Sequence, residues 1–151
     1  MTLQAKYVHT NLIAKDWRAL AGFYEQVFGC IPVLPERDFE GEKLEAGTGV
    51  PGAHLQGVHL RLPGHGESGP TLEIFSYNKE EDAGVRAVNR PGFGHLAFQV
   101  ENVPAALGVV LRYGAHSVGD VVTLELPDRR KVTFCYITDP EGNILELQSW
   151  S

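Results

Sequence analysis

An internal repeat governs what this chain can fold into. Residues Tyr7 to Ile13 alternate in polarity, Asp16 is placed as a helix N-cap, and Trp17, Leu20, Ala21, Tyr24 and Phe28 form a 3.6-residue apolar stripe ending at Gly29. Phe93 to Val100 reads as a second strand, Asn102 as a cap, and Val103, Ala106, Leu107, Val110 and Leu111 as a stripe closed at Gly114. The copies register at a constant offset of 86, which sets His9 on His95, Trp17 on Val103, Leu20 on Ala106, Ala21 on Leu107 and Gly22 on Gly108. Three further strands are predicted after each helix, at about 30–38, 54–62 and 71–77 in the first copy and about 115–124, 131–138 and 143–149 in the second. Each copy reads β-α-β-β-β, an α+β chain with modules of about 5–78 and 92–150 inside a single domain, 1–151.

The ends of the copies align as well, because TLEIFSY matches ILELQSW and sets Glu73 on Glu146 at an offset of 73. The first copy is thus 13 residues longer. That surplus is assigned to residues 36–52, ERDFEGEKLEAGTGVPG, which are polar, glycine-rich and poorly periodic, as an inserted loop should be. Between the copies, Asn89, Arg90, Pro91 and Gly92 make only a turn.

Strand side chains alternate faces, so parity sorts each strand into two sets. Tyr7, His9 and Asn11 oppose Val8, Thr10 and Leu12, while His95, Ala97 and Gln99 oppose Leu96, Phe98 and Val100. Glu73 opposes Leu72 and Ile74, and Glu146 opposes Leu145 and Leu147. The apolar sets should cover the helices, which leaves both histidines and both glutamates on the helix-free face. Should the copies curve one sheet around a cavity, that face becomes its lining and the four residues form a cation site. Two carboxylates resist joint burial without a compensating charge, and a divalent ion supplies it. Imidazole with carboxylate suits Mn, Fe, Co, Ni or Zn, and no thiolate is among the four.

Composition narrows the partners. With 13 Lys and Arg against 19 Asp and Glu, a net charge of −6 offers no footprint for nucleic acid or an anionic membrane surface, so a small molecule or a protein is the expected partner. Cys30 and Cys135 are isolated and read as reduced core residues. The first residues lack a signal-peptide apolar region and no segment reaches transmembrane length, so cytoplasmic residence is expected by elimination.

Three segments resemble the glyoxalase, bleomycin-resistance and extradiol-dioxygenase group, the vicinal oxygen chelate superfamily. VHTNLIAKDWRALAGFYEQVFGC resembles its opening unit, RPGFGHLAFQVENVPAAL the start of its second, and YITDPEGNILELQSW its closing strand. The resemblance covers almost the whole chain. It implies paired βαβββ modules forming a curved mixed sheet around a metal-binding cavity, with His9, Glu73, His95 and Glu146 as ligands to a divalent ion such as Ni, Co, Zn, Mn or Fe. It also implies a lyase or isomerase that chelates a small oxygenated substrate and promotes proton transfer through an enolate, with Glu73 or Glu146 as general base. Glyoxalase I and methylmalonyl-CoA epimerase are the nearest models, and Glu73 fits the first, since the epimerases usually carry glutamine there. A homodimer is expected, with the metal site formed either within one chain or across two.

Two rivals share the resemblance. An extradiol dioxygenase binds Fe(II) through two histidines and one carboxylate, and Glu73 counts against it by filling a position that oxygen needs. A drug-sequestering resistance protein keeps the cup but typically lacks the full ligand set.

Other polar residues have simpler readings. A strand histidine by itself is ordinarily a hydrogen-bonded structural group, and it is the repeat that raises His9 and His95 above that. His54 and His59 are five apart, on opposite faces of one strand, and are not expected to share an ion; with His65 and His116 they are read as surface or pocket polar groups. Asp139-Pro-Glu-Gly-Asn143 makes a turn by backbone preference, so Asp139 and Glu141 need no catalytic role. Arg129, Arg130 and Lys131 read as a solvated hairpin tip, and Glu42 and Glu45 lie in the inserted loop, within possible reach of a pocket.

Overall fold

The computed structural model describes residues 1–151, and the chain divides into two units, Met1–Glu81 and Asp82–Ser151. In the first, β1 (His9–Ile13) leads into α1 (Trp17–Phe28), followed by β2 (Ile31–Glu40), α2 (Glu42–Thr48), β3 (His54–Arg61) and β4 (Thr71–Tyr77). The strands form a mixed sheet in the order β1-β4-β3-β2, with β1 parallel to β4 and the other pairs antiparallel. Pro32 and Pro35 lie in β2, an edge strand, where a missing amide donor is tolerated. The Leu34–Pro35 peptide is cis, and the register with β3 shifts between Val33 and Arg37.

Register and parity build the core of this unit together. Leu72 pairs with Thr10 and Leu60, and Ile74 with Leu12 and Val58, which stacks one apolar set across three strands beneath α1. Leu60, Leu72 and Ile74 are completely or almost completely buried, each worth about 1.5–3 kcal/mol relative to exposure. Trp17, Leu20, Ala21 and Tyr24 supply the buried stripe of the helix. Its start is set by Asp16, whose carboxylate accepts from the Ala19 amide at 3.0 Å, a cap worth about 1 kcal/mol. Gly29 ends it in the left-handed region at φ 69°, and the Cys30 amide reaches back to the Tyr24 carbonyl. Ser76 ties the helix entrance to β4, accepting from the Trp17 amide and donating to the Ala14 carbonyl.

The second unit repeats the plan with β5 (Leu96–Gln99), α3 (Val103–Arg112), β6 (His116–Ser117), β7 (Val122–Glu125), β8 (Lys131–Thr138) and β9 (Ile144–Trp150). The order is β5-β9-β8-β6, with β7 also pairing β8 and β5 parallel to β9. Leu145 pairs with Leu96 and Ile137, and Leu147 with Phe98 and Cys135, forming the equivalent apolar layer on the face where α3 packs. Asn102 caps α3 by accepting from the Ala105 amide at 2.9 Å.

Some boundaries differ from the sequence reading. Residues 36–52 are not simply a loop: β2 continues to Glu40, and α2 occupies Glu42–Thr48, where Lys43, Leu44, Glu45 and Ala46 are good helix formers and Gly49 at φ 71° closes the turn. The strand expected at 115–124 is broken into β6 and β7 around Gly119 and Asp120, residues that favour turns. Strand β5 begins at Leu96 rather than Phe93, so His95 lies just ahead of it, after the glycines at 92 and 94. The 13 extra residues are also shared between two places. Glu73 follows the residue opposite it, His59, by 14 positions, whereas Glu146 follows Tyr136 by 10. Four of the extra residues therefore belong to the β3–β4 connection, and the rest lie upstream.

Candidate metal centre

The helix-free face of the first sheet carries a row of polar side chains set by register. Asn11, Glu73 and His59 are directly opposite one another on β1, β4 and β3, and His9 lies two residues before Asn11. His9 Nε2 is 3.7 Å from Glu73 Oε1, and His59 Nε2 is 2.5 Å from Glu73 Oε2. The two imidazole rings meet edge to face, with centroids 5.4 Å apart. One ligand atom from each of His9, His59 and Glu73 can be chosen so that all lie within 4.8 Å of one another. Asn11 Nδ2 donates to Glu73 Oε1 at 2.8 Å, and Thr71 Oγ1 lies 3.0 Å from His59 Nδ1.

Burial grades the three. The Glu73 side chain is 12% exposed, His59 18% and His9 39%, so the carboxylate is screened while one imidazole faces solvent. Burial lowers the pKa of His59 from its ordinary value, more than the Glu73 carboxylate raises it. A neutral imidazole keeps a nitrogen lone pair for a cation. The set of two imidazoles and one carboxylate fits a borderline divalent metal, and it contains no thiolate.

The second unit carries the matching row. His95 Nε2 is 2.9 Å from Glu146 Oε2, Glu146 pairs with Ala97 on one side and Tyr136 on the other, and the His95 and Tyr136 rings are 5.0 Å apart. Tyr136 thus occupies the place that His59 takes in the first unit, and Ala97 the place of Asn11. Burial, then the nearby Glu146, pushes the Tyr136 phenol above its usual pKa.

The sequence-predicted residues fall into two pairs, His9 with Glu73 and His95 with Glu146, one in each unit. His59, expected as a surface or pocket polar group, touches Glu73 and joins His9 in a three-donor cluster. The signal was in the sequence, since His59 alternates with the apolar Val58 and Leu60 just as Glu73 alternates with Leu72 and Ile74. Tyr136 was missed likewise, between Cys135 and Ile137. His54 does stand apart, paired with Asp38 at 2.6 Å. Glu42 and Glu45 lie in the first turn of α2.

A pocket of about 250 Å³ lies elsewhere, between α1 and β2, lined by Trp17, Arg18, Ala21, Pro32 and Val58. Val58 points to the helix side of β3 and His59 to the other, so this pocket is behind the polar row. The thiols contribute to neither feature: both cysteines are buried and unpaired, and burial pushes Cys30 up to about 11.

Two βαβββ units, each presenting a His–Glu pair away from its helix, define a class of duplicated α+β fold. The model of the Glyoxalase/Bleomycin resistance protein/Dioxygenase superfamily matches residues 6–147, and the chain belongs to that superfamily, which includes many enzymes, is commonly metal-dependent and whose members bind small molecules. A glyoxalase family protein from Bacillus cereus is similar in structure, with a TM-score of 0.75 at 21% identity over 99% of this chain and 95% of that one. A glyoxalase family protein from Enterococcus faecalis gives 0.57 at 22% identity over 96% of each chain. A glyoxalase/bleomycin resistance protein/dioxygenase family enzyme from Burkholderia phytofirmans gives 0.57 at 16% identity, covering 96% of this chain and 98% of that one. At these identities the likeness establishes the α+β fold with its mixed sheets. No match is found among curated proteins.

Proposed function

We propose that this chain, acting as a single glyoxalase-like domain, is a metal-dependent lyase or isomerase for a small oxygenated substrate. In this reading His9, Glu73, His95 and Glu146 are the protein ligands. The observation that carries it is the presence of a His–Glu pair at equivalent positions of the repeat in both units, at 3.7 Å and 2.9 Å, on the face turned away from the helix. A divalent cation held there supplies positive charge against the oxygen anion that develops when a proton leaves the carbon beside a carbonyl. The glutamates divide the remaining work. Glu73 is held by Asn11 and His59, whereas Glu146 contacts His95, so Glu146 is the carboxylate freer to swing and take the proton. A homodimer in the cytoplasm belongs to the same reading.

Metal analysis of the purified protein and of the Glu73→Gln and His95→Ala variants tests it. Both variants should lose most of the bound metal, and full metal content in both would rule out the ligand set. A panel of hemithioacetals, acyl-CoA epimers and catechols then addresses the substrate, with glyoxalase I-like and epimerase-like turnover as the two leading outcomes. Purified protein that carries no metal, and that fails to bind Mn, Co, Ni, Zn or Fe in calorimetry, would favour a resistance-type binding protein over either enzyme.

One observation favours a second reading. His9, His59 and Glu73 make two imidazoles and one carboxylate, the ligand set of Fe(II) oxygenases. Ring cleavage of a catechol by the Fe(II)-loaded protein in air, and none without oxygen, would establish that reading over the first.

A further inference from the structure

We propose that Arg37 and Arg61 bind an anionic group of the substrate, a carboxylate or a phosphate, beside the His9–Glu73 pair. The inference rests on the lyase or isomerase reading above and narrows its substrate class to oxygenated anions.

Register places both arginines. Gly57, His59 and Arg61 are alternate residues of β3 and share its helix-free face. Arg37 of β2 is directly opposite Gly57, so its side chain leaves the sheet on that same face. Arg61 is opposite Thr71, the residue whose hydroxyl contacts His59. The two guanidinium groups therefore rise from positions on either side of His59. Arg37 donates to the Pro35 carbonyl, which leans it along β2 towards Val33, the residue opposite His59. Its positive charge also helps to lower the His59 pKa.

Burial without a charged partner is the second argument. Arg37 and Arg61 are half-buried, and every other arginine of the chain is exposed. A guanidinium withdrawn from water ordinarily gains a carboxylate in exchange. The exposed Arg18, Arg129 and Arg130 each have one, whereas Arg37 and Arg61 form no ion pair. The acids on either side of Arg37 are committed elsewhere, Glu36 to Arg18 at 2.7 Å and Asp38 to His54 and Gln56 at 2.6 and 2.8 Å. Glu73 is engaged by His59 and Asn11.

The chemistry of the missing partner follows. Guanidinium presents a planar fork of N–H donors that matches two oxygens of a carboxylate or a phosphate. On a chain of net charge −6, such an anion is drawn only to a local concentration of positive charge. The second unit offers no counterpart. Tyr136 takes the place of His59 there, and the residues two before and two after it are Phe134 and Thr138. The charged end of the substrate is thus assigned to the first unit, where holding it would fix the reacting oxygens relative to the His9–Glu73 pair.

Nuclear magnetic resonance titration of the full chain, with and without Zn(II), tests the assignment. The probes are dihydroxyacetone phosphate, 5-hydroxy-4-oxopentanoate and dihydroxyacetone. All three have adjacent carbonyl and hydroxyl oxygens, and they carry a phosphate, a carboxylate and no charge respectively. At least one anion should shift the side-chain Nε–H signals of Arg37 and Arg61 and bind about tenfold or more tightly than dihydroxyacetone. Which anion does so separates phosphate from carboxylate. Arg37→Gln and Arg61→Gln should each weaken that anion about tenfold, with dihydroxyacetone affinity and metal content unchanged, and Arg37→Lys should lose less. Anions that bind no better than dihydroxyacetone, or that leave both Nε–H signals in place at millimolar concentration, would overturn the proposal. Folded Gln variants with full anion affinity would do the same. With normal metal content, either result leaves the metal-dependent reading intact. Protein that binds no metal yet still binds an anion through both arginines would overturn only the metal-dependent reading.

Discussion

His54 and Asp38 form an exposed pair whose contribution to stability has a defined pH window. The hydrogen bond to Asp38 raises His54 above its ordinary 6.5, while bonds from Gln56 and then His54 hold Asp38 below 3.8. A raised histidine stabilises the fold fully below its unfolded pKa, and the contribution fades as pH climbs through the folded value. A lowered aspartate contributes above its unfolded pKa and loses that contribution on acidification. The thermal midpoint difference between the unaltered protein and His54→Gln should therefore be larger at about pH 5.5 than at about pH 8.5. Salt should shrink it, because both groups face solvent. Parallel midpoint curves would show that the pair contributes nothing. Asp139 is the opposite case, a carboxylate 1% exposed that accepts from the Glu141 and Asn143 amides and from the Asn143 side chain. Asp139→Ala strands those donors and should cost about 2–3 kcal/mol in urea unfolding, whereas Asp139→Asn keeps an oxygen acceptor and should cost less.

The pairing of β3 with β4 positions the candidate centre, and Gly57 allows it to form. A Cβ there would stand 2.0 Å from the Ile74 carbonyl oxygen and 2.3 Å from the Phe75 ring. Backbone oxygen cannot yield cheaply, so Gly57→Ala should destabilise by about 1–3 kcal/mol or more in urea unfolding. Because Gly57 opposes Phe75 and His59 opposes Glu73 two residues further along, the same variant should weaken Co(II) binding. What could be read in the sequence follows from the range of the forces involved. Helices α1 and α3 were legible because caps and apolar stripes act over a few residues: Asp16 and Asn102 each accept from the amide three residues on. Glu73 and Glu146 were legible because parity is local to a strand. The face of His59 was legible in the same way, but its partnership with Glu73 was not, because that depends on pairing across a connection whose length differs from that of its counterpart in the second unit. α2 escaped notice because a short helix with no buried residue leaves little apolar pattern to read.

Across the whole chain, parity makes insertions and deletions unequal in their effects. Deleting Leu72 would turn Glu73 towards α1 and push an apolar neighbour outward, in a strand where Leu72 and Ile74 are fully buried. Deleting Ser68 shortens the connection between Arg61 and Thr71, which the second unit makes with five residues from Asp139 to Asn143. The first deletion should abolish soluble, folded protein and the second should leave a folded chain with a modestly lowered thermal midpoint; equal yields would contradict the parity argument. The 13 surplus residues of the first copy lie outside the strands that carry His9, His59 and Glu73. Thirteen codons could therefore enter this gene after duplication without turning a ligand to the wrong side of the sheet, while the loss of one codon inside β4 would do so. Length can drift in the turns of such a chain, and inside its strands only the spelling can change.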